Sequence, residues 1–444
     1  MRGEKAWAQM SPEERREERF KRWLSPKDVT FKDDKAERRY KERVKRFIDV
    51  IKLQKPDRVP VMLPIGFFPP YNAGFTLKDV MYDYEILKKA WLKLIDDFDM
   101  DTFPGPGLVY PGKVLELMEY RLHRWPGHGL EHTVSSYQYI EGEYMTADEY
   151  DAFIRDPAHF ILATYLPRIA GIFSGFRKFG SMIQGVGSPV AFIEQFSDPE
   201  LRASIERVLE ASLEVAKWRK VVEEVNRAAL EAGIPSLRGA MSNAPFDRIG
   251  DFLRGTKGVM LDMYRCPEKL IEAMERVTPM IIGHTLKVAE LSDSPIIFIP
   301  LHKGPAGFMS NRQFEKFYWP TLRKVMLAFI EEGFVPMPFA EGDYEPRLEI
   351  IKDMPRASVI WYFEVMDMEE AKKVLGDNAC IAGNLPVSML YASTPKEIKE
   401  ACKRLIETCG QNGGYILAAS ASIDRGNPEN IRAMMEAAAE YGVY

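Results

Sequence analysis

The sequence predicts an α/β chain built as a closed (β/α)8 TIM-type barrel, with a helical extension before it and a lid inserted into it. Three observations lead there. From Arg58 onward, short apolar runs alternate with amphipathic helices, the order that builds a parallel sheet. The runs lack strict polar/apolar alternation, as strands covered on both faces do. About eight such units occur with no GxGxxG after a strand and no GxxxxGK[ST] anywhere, which favours a barrel over a nucleotide-binding open sheet.

Residues 1–50 form the extension. Ser11 and Pro12, followed by Glu13 and Glu14, make a helix start, with serine as cap and proline in the first turn. In 35–53, Tyr40, Val44, Phe47, Ile48 and Ile51 fall on one stripe of a charged helix. That stripe caps the larger domain or, on a second reading, meets a partner such as another copy of the chain in a homodimer. Residues 51–444 make the barrel. Its strand-like runs are 58–63 (RVPVML), 234–241 (IPSLRGAM), 296–301 (IIFIPL), 335–340 (VPMPFA), 358–363 (SVIWYF), 379–382 (ACIA) and 415–418 (YILA). Helices are expected over 312–332, 368–375 and 395–409. Residues 104–232 read as an insertion: PGPG, YPG and WPGHG break regular structure near its start, and a mostly helical stretch follows from the capping pair Thr146 and Glu149.

Composition narrows the function classes. The 444 residues are 46% hydrophobic and 11% aromatic, with a formal net charge of −5. That is material for a large core, and no cationic field draws the chain to nucleic acid or anionic lipid. Four cysteines without a CxxC pair make neither a disulfide framework nor a zinc ribbon. The N-terminal stretch is charged where a signal peptide is apolar, and no window approaches the roughly 20 apolar residues of a membrane span. A soluble cytoplasmic protein is expected, with no nucleic-acid or membrane partner.

In a parallel barrel, chemistry sits where the strands end. His302, Lys303 and Gly304 follow IIFIPL; Glu341, Asp343 and Tyr344 follow VPMPFA, with Arg347 just beyond; Glu364 follows SVIWYF; Asn384 ends the strand carrying Cys380. His302 and Glu341 suit either metal ligation or proton transfer. Cys380 is a third candidate ligand, or a small core residue. In the insertion, His123, His128 and His132 have no standard ligand spacing, and they read as solvated or substrate-facing. Tyr137, Gln138, Tyr139 and Glu141 are placed to line a pocket mouth. Asp96, Asp97, Asp99 and Asp101 straddle a helix end and a strand, which points them in different directions.

Several co-ordered motifs then carry a resemblance. KERVKRFIDVIKLQKPDRVPV (41–61), PEKLIEAMERVTPMI (267–281), FMSNRQFEKFYWPTLRKV (308–325), CIAGNLP (380–386) and GGYILAASASIDRGNPENIRAMMEAAAEYG (413–442) resemble the uroporphyrinogen decarboxylase superfamily, whose members share the (β/α)8 barrel. HKGPAGFMS (302–310), FAEGDYEPRLE (339–349) and YQYIEGEYMTADEYD (137–151) are similar to a longer subgroup of it. True decarboxylases of that superfamily carry an Arg-rich segment after the first strand. Here that place reads LPIGFFPPYNAG (63–74), without an arginine, and the HG pair near the C-terminus is replaced by Ser420 and Ala421. The multiple carboxylates of a porphyrinogen would go unpaired there.

The other branch of the superfamily is similar to cobamide-dependent methyltransferases. Their His-x-Cys zinc ligands fall here on Phe339 and Glu341, and their C-terminal cysteine is lost within ASAS (419–422). The resemblance therefore implies a corrinoid-linked methyltransferase acting on a small O-, N- or S-methyl compound. A separate corrinoid protein would be its partner, since no DxHxxG signature occurs in the chain. On this reading His302, Glu341 and Asp343 polarise the leaving atom, and His302, Glu341 and Cys380 are the candidate zinc set. His128, Gln138, Arg238, Lys303, Tyr344, Arg347, Trp361 and Asn384 are the substrate-binding candidates. The alternatives are decarboxylation of another carboxylate, anchored by Arg238 or Arg347, and a non-catalytic tetrapyrrole- or corrinoid-binding protein.

Overall fold

The computed structural model describes residues 6–180 and 182–444; residues 1–5 of the expected extension lie outside the described residues. Seven parallel strands form one curled sheet: β1 (Val61–Met62), β2 (Ala240–Met241), β3 (Ile296–Leu301), β4 (Val335–Asp343), β5 (Ile360–Val365), β6 (Cys380–Leu385) and β7 (Tyr415–Ala419). Their order is β1-β7-β6-β5-β4-β3-β2, so β3 to β7 follow one another around the sheet and β7 closes onto β1. All seven runs read from the sequence contain a strand, and the helices Met368–Leu375 and Pro395–Cys409 have the expected limits.

The eighth place is filled by the chain around Phe103. Its amide donates to the carbonyl of Pro235 at 2.8 Å, and Phe103 bridges Ser236 in parallel. On the other side a side chain makes the connection: Asp101 accepts from the Val61 amide at 2.9 Å and from Arg46 and Arg58 at 2.7 to 2.9 Å. Three of the four expected acids point apart. Asp97 pairs with Lys93 and Asn72, Asp99 with Arg39 and Arg43, and Asp101 with its two arginines.

The N-terminal helices Pro12–Leu24 and Asp34–Ile51 close the lower end of the barrel. Phe20, Trp23, Tyr40, Val44, Phe47 and Ile51 share one buried cluster with the inward-facing Phe298, Met337, Tyr362, Cys380 and Ile416. The apolar stripe is therefore used inside the chain, which corrects the reading of it as a partner or dimer surface. The outward faces of the strands pack against the surrounding helices in a second, larger cluster. At the upper end, residues 123–145 arch across the strand ends on the short strands His123–Pro126, Gly129–Leu130 and Gln138–Tyr139. The insertion continues through helices to the long helix Pro199–Glu231. Among the described residues, no helix is long and apolar enough to cross a membrane.

Candidate active site

At the upper mouth the side chains just past the strands converge. His302 leaves the end of β3 with its Nδ1 2.6 Å from Asp251 Oδ2 and its Nε2 3.6 Å from Glu341 Oε1. Asp251 stands one helical turn after Asp247, on the helix that follows β2, and this i, i+4 spacing puts both acids on one face. The helix widens to a π turn over Gly250–Arg254, and the helix carrying Tyr318 does the same over Phe314–Tyr318; such turns concentrate at functional sites. Asp247 is fully buried and accepts from the His302 and Lys303 amides at 3.0 and 3.1 Å and from Tyr318 Oη at 2.6 Å. It therefore fixes the backbone from which His302 projects. Lys303, buried behind the histidine, reaches Asp251 Oδ1 at 3.1 Å and Thr256 Oγ1 at 2.8 Å.

Across the mouth, Glu341 stands near Glu364, which accepts from the Gly342 amide at 2.7 Å. Burial pushes the Glu341 carboxyl up to about 7; His302 opposes the rise, and the charges of Glu364, Asp247 and Asp251 add to it. For His302, burial favours the neutral ring, but the Asp251 hydrogen bond and the charges of Asp247, Asp251 and Glu341 outweigh it and lift the group to about 9. Burial and the nearby Asp251 hold the Asp247 carboxyl above its ordinary range. Near neutral pH the mouth thus holds an imidazolium beside a carboxyl poised to give or take a proton.

The arching segment roofs this mouth from both sides. Tyr139 Oη donates to the Asp251 carbonyl, and Glu141 accepts from the Thr256 amide at 2.6 Å. Opposite, Tyr137 meets Phe67 edge-on at 5.0 Å, and the Phe67 amide donates to Asp424. A groove of about 670 Å3 leads outward from Glu364, Asn384 and Ser420 toward Met389 and Arg404.

The remaining expected site residues take other places. Asp343 is exposed and caps the next turn through the Glu345 amide at 2.9 Å. Tyr344 and Trp361 are buried, the latter against Trp319 and Phe363 on the outer side of the sheet. Arg347 is also buried and holds the Gly304 and Met309 carbonyls and Asn311; it pins the loop after β3. Asn384 donates to the Glu364 and Met366 carbonyls. Arg238 faces the barrel interior over the Phe298 ring at 4.0 Å.

His128 stacks on Trp125 at 4.1 Å, and Gln138 pairs with Arg124 as an exposed strand residue. Neither has a contact to His302 or Glu341 among the described residues. His123 stacks on Tyr120 and His132 meets Lys78, so the three histidines do not converge. Cys380 lies fully buried at the lower start of β6, its thiol pushed up to about 12 by burial. It shares the cluster under the barrel with Phe47 and Ile416. The candidate zinc set of His302, Glu341 and Cys380 is therefore not assembled, and no group of three or more His, Cys, Asp or Glu among the described residues is arranged to hold a metal ion. Conversely, Asp247, Asp251 and Tyr318 belong to the site without having been read from the sequence, whereas Tyr139 and Glu141 were. The usable signal was FDRIGD (246–251), two acids four apart in the helix after a barrel strand.

Comparison with known proteins agrees with this architecture. A methyltransferase from Methanosarcina mazei superposes with a TM-score of 0.56 over 89% of this chain and 98% of that one, at 17% identity. The uroporphyrinogen decarboxylases of Chlorobaculum parvum and Chlorobaculum tepidum are each 24% identical over 152 and 156 residues. The match covers 34% of this chain and 42% of the length of those relatives. The family model of uroporphyrinogen decarboxylase (URO-D) matches residues 181–441, and the chain belongs to that family.

Proposed function

We propose that the chain is a methyl-transfer enzyme that demethylates a small O-, N- or S-methyl compound and passes the methyl group to a corrinoid carried by a separate protein. The observation that carries this reading is the Glu341 carboxyl, lifted to about 7 beside the His302 imidazolium at the mouth of the barrel. Breaking a methyl–heteroatom bond leaves the electron pair on the heteroatom, which becomes a good leaving group when it is protonated as the bond breaks. Glu341 supplies that proton. His302, charged and oriented by Asp251, stabilises the resulting carboxylate, and the roof of Tyr137 and Tyr139 limits water. Among the described residues no group of three or more His, Cys, Asp or Glu is arranged for a zinc ion, and this reading assigns the step to the carboxyl and the imidazolium.

Charge favours this over decarboxylation of a polycarboxylate. The mouth holds Asp247, Asp251, Glu341, Glu364 and Asp424 against His302, Lys303 and Arg248, so a polyanion would meet an excess of like charge. The test is a screen of methyl ethers, methylamines and methyl thioethers with a reduced corrinoid protein as acceptor, alongside release of carbon dioxide from aromatic and aliphatic carboxylates. Methyl transfer that Glu341→Gln abolishes supports the reading. Carbon dioxide release without methyl transfer would replace it with the lyase.

A further inference from the structure

Beneath the mouth the barrel holds a second feature that the methyl-transfer reading does not use. A cavity of about 760 Å3 opens between residues 102–105, residues 234–238 and the loop 27–30 that joins the two N-terminal helices. Met62, Leu63, Phe103 and Leu237 form apolar wall, and Thr102 and Ser236 add polar atoms. Arg238 also lines it. Its guanidinium lies over Phe298, the first ring of a stack that continues to Phe339 at 6.1 Å and Tyr362 at 4.2 Å. Among the described residues its side chain has no hydrogen bond and no carboxylate partner. Burial lowers its pKa from the ordinary arginine value.

Arg238 is half-buried on the cavity wall, and a cation that no protein carboxylate neutralises there is free to take an anion. The rim does not provide the partner. Lys27 and Arg227 there are matched by Asp28, Glu231 and Asp293, and Asp293 is already engaged by Arg22 at 2.9 Å. The balanced rim gives a polyanion nothing to hold. The inner guanidinium offers one planar fork, which suits one carboxylate.

We propose that this cavity binds a small organic monocarboxylate, its carboxylate on Arg238 and its apolar body against Met62, Leu63 and Phe103. The site is separate from the His302–Glu341 mouth: Phe339 precedes Glu341 by two residues on β4, and the ring stack stands between. The proposal therefore stands or falls independently of the methyl-transfer reading.

The experiment uses the full chain and the probes acetate, benzoate and inorganic phosphate, with chloride at matched ionic strength as control. Binding is followed by calorimetry and by the unfolding midpoint, which a native-state ligand raises by mass action. Saturable binding of both carboxylates is expected, benzoate the tighter through its ring. Arg238→Met should weaken benzoate about tenfold or more, and Arg238→Lys should fall between.

Carboxylates that act no more than chloride would overturn the proposal, as would phosphate binding as tightly as benzoate. Unchanged benzoate affinity in Arg238→Met would do the same.

Discussion

Glu341 and His302 concentrate the site's chemistry in one contact of 3.6 Å. A proton donor must be protonated to work, so turnover limited by methyl–heteroatom cleavage should be full below the Glu341 pKa and fall as pH rises through about 7. Glu341→Gln keeps the shape and removes the proton. It should lower single-turnover rates by about 10²- to 10⁴-fold and abolish that pH limb; a variant that kept both would remove Glu341 from the chemistry. Asp251 acts through its neighbour, as a positioning residue. Burial alone would pull the His302 pKa below its ordinary 6.5, and Asp251 is the main group raising it to about 9. Asp251→Asn should therefore shift the His302 ring resonances to titrate well below the wild-type value in NMR.

Among the elements, the weakest join in the barrel is the one made by a side chain. Between β1 and the strand at Phe103, Asp101 stands in for ladder hydrogen bonds and is itself buried with Arg46. Removing it leaves the Val61 amide without its acceptor and the Arg46 guanidinium with Asp57 alone, a loss of about 1–3 kcal/mol. Asp101→Ala should show that loss in urea unfolding; a change within error would mean that the barrel closes without it. The same join explains what was legible beforehand. Strands β3 to β7 are long apolar runs and were readable by composition alone, whereas the eighth strand is short, acidic and half made of side-chain contacts. The site divides in the same way. His302 follows its strand at once, Glu341 lies near the end of its own, and both were found. Asp247 and Asp251 lie one and two helical turns further on, where only the folded helix turns them back over the mouth. Trp361 and Tyr344 are close to strand ends too, yet pleat parity sends Trp361 to the outer face, and distance along the chain does not encode that.

Over the whole molecule, the anchor of the roof and the mouth beneath it should respond to pH in opposite directions. The roof is anchored where Arg168 binds Glu149 at 2.6 Å, a hydrogen bond that outweighs the opposing burial and holds the Glu149 carboxyl down to about 2. A carboxyl with a lowered folded pKa gives stability that is present above its ordinary 4.5 and lost as pH falls toward 2. The mouth has the reverse sign. His302 is raised from 6.5 to about 9, so the stability it contributes is complete below 6.5 and gone once pH has risen through 9. Glu341, raised from 4.5 to about 7, declines in the same direction through a lower window. The unfolding midpoint of the wild type should thus fall between pH 6.5 and 9 more steeply than that of His302→Gln, whose curve lacks the histidine's share. At pH 6 the wild type should melt higher than the variant, and near pH 9.5 the gap should have closed. Parallel curves across that range would mean that the imidazolium is not held by Asp251 and Glu341 in solution, and the proton donor assigned to the mouth would lose its oriented partner.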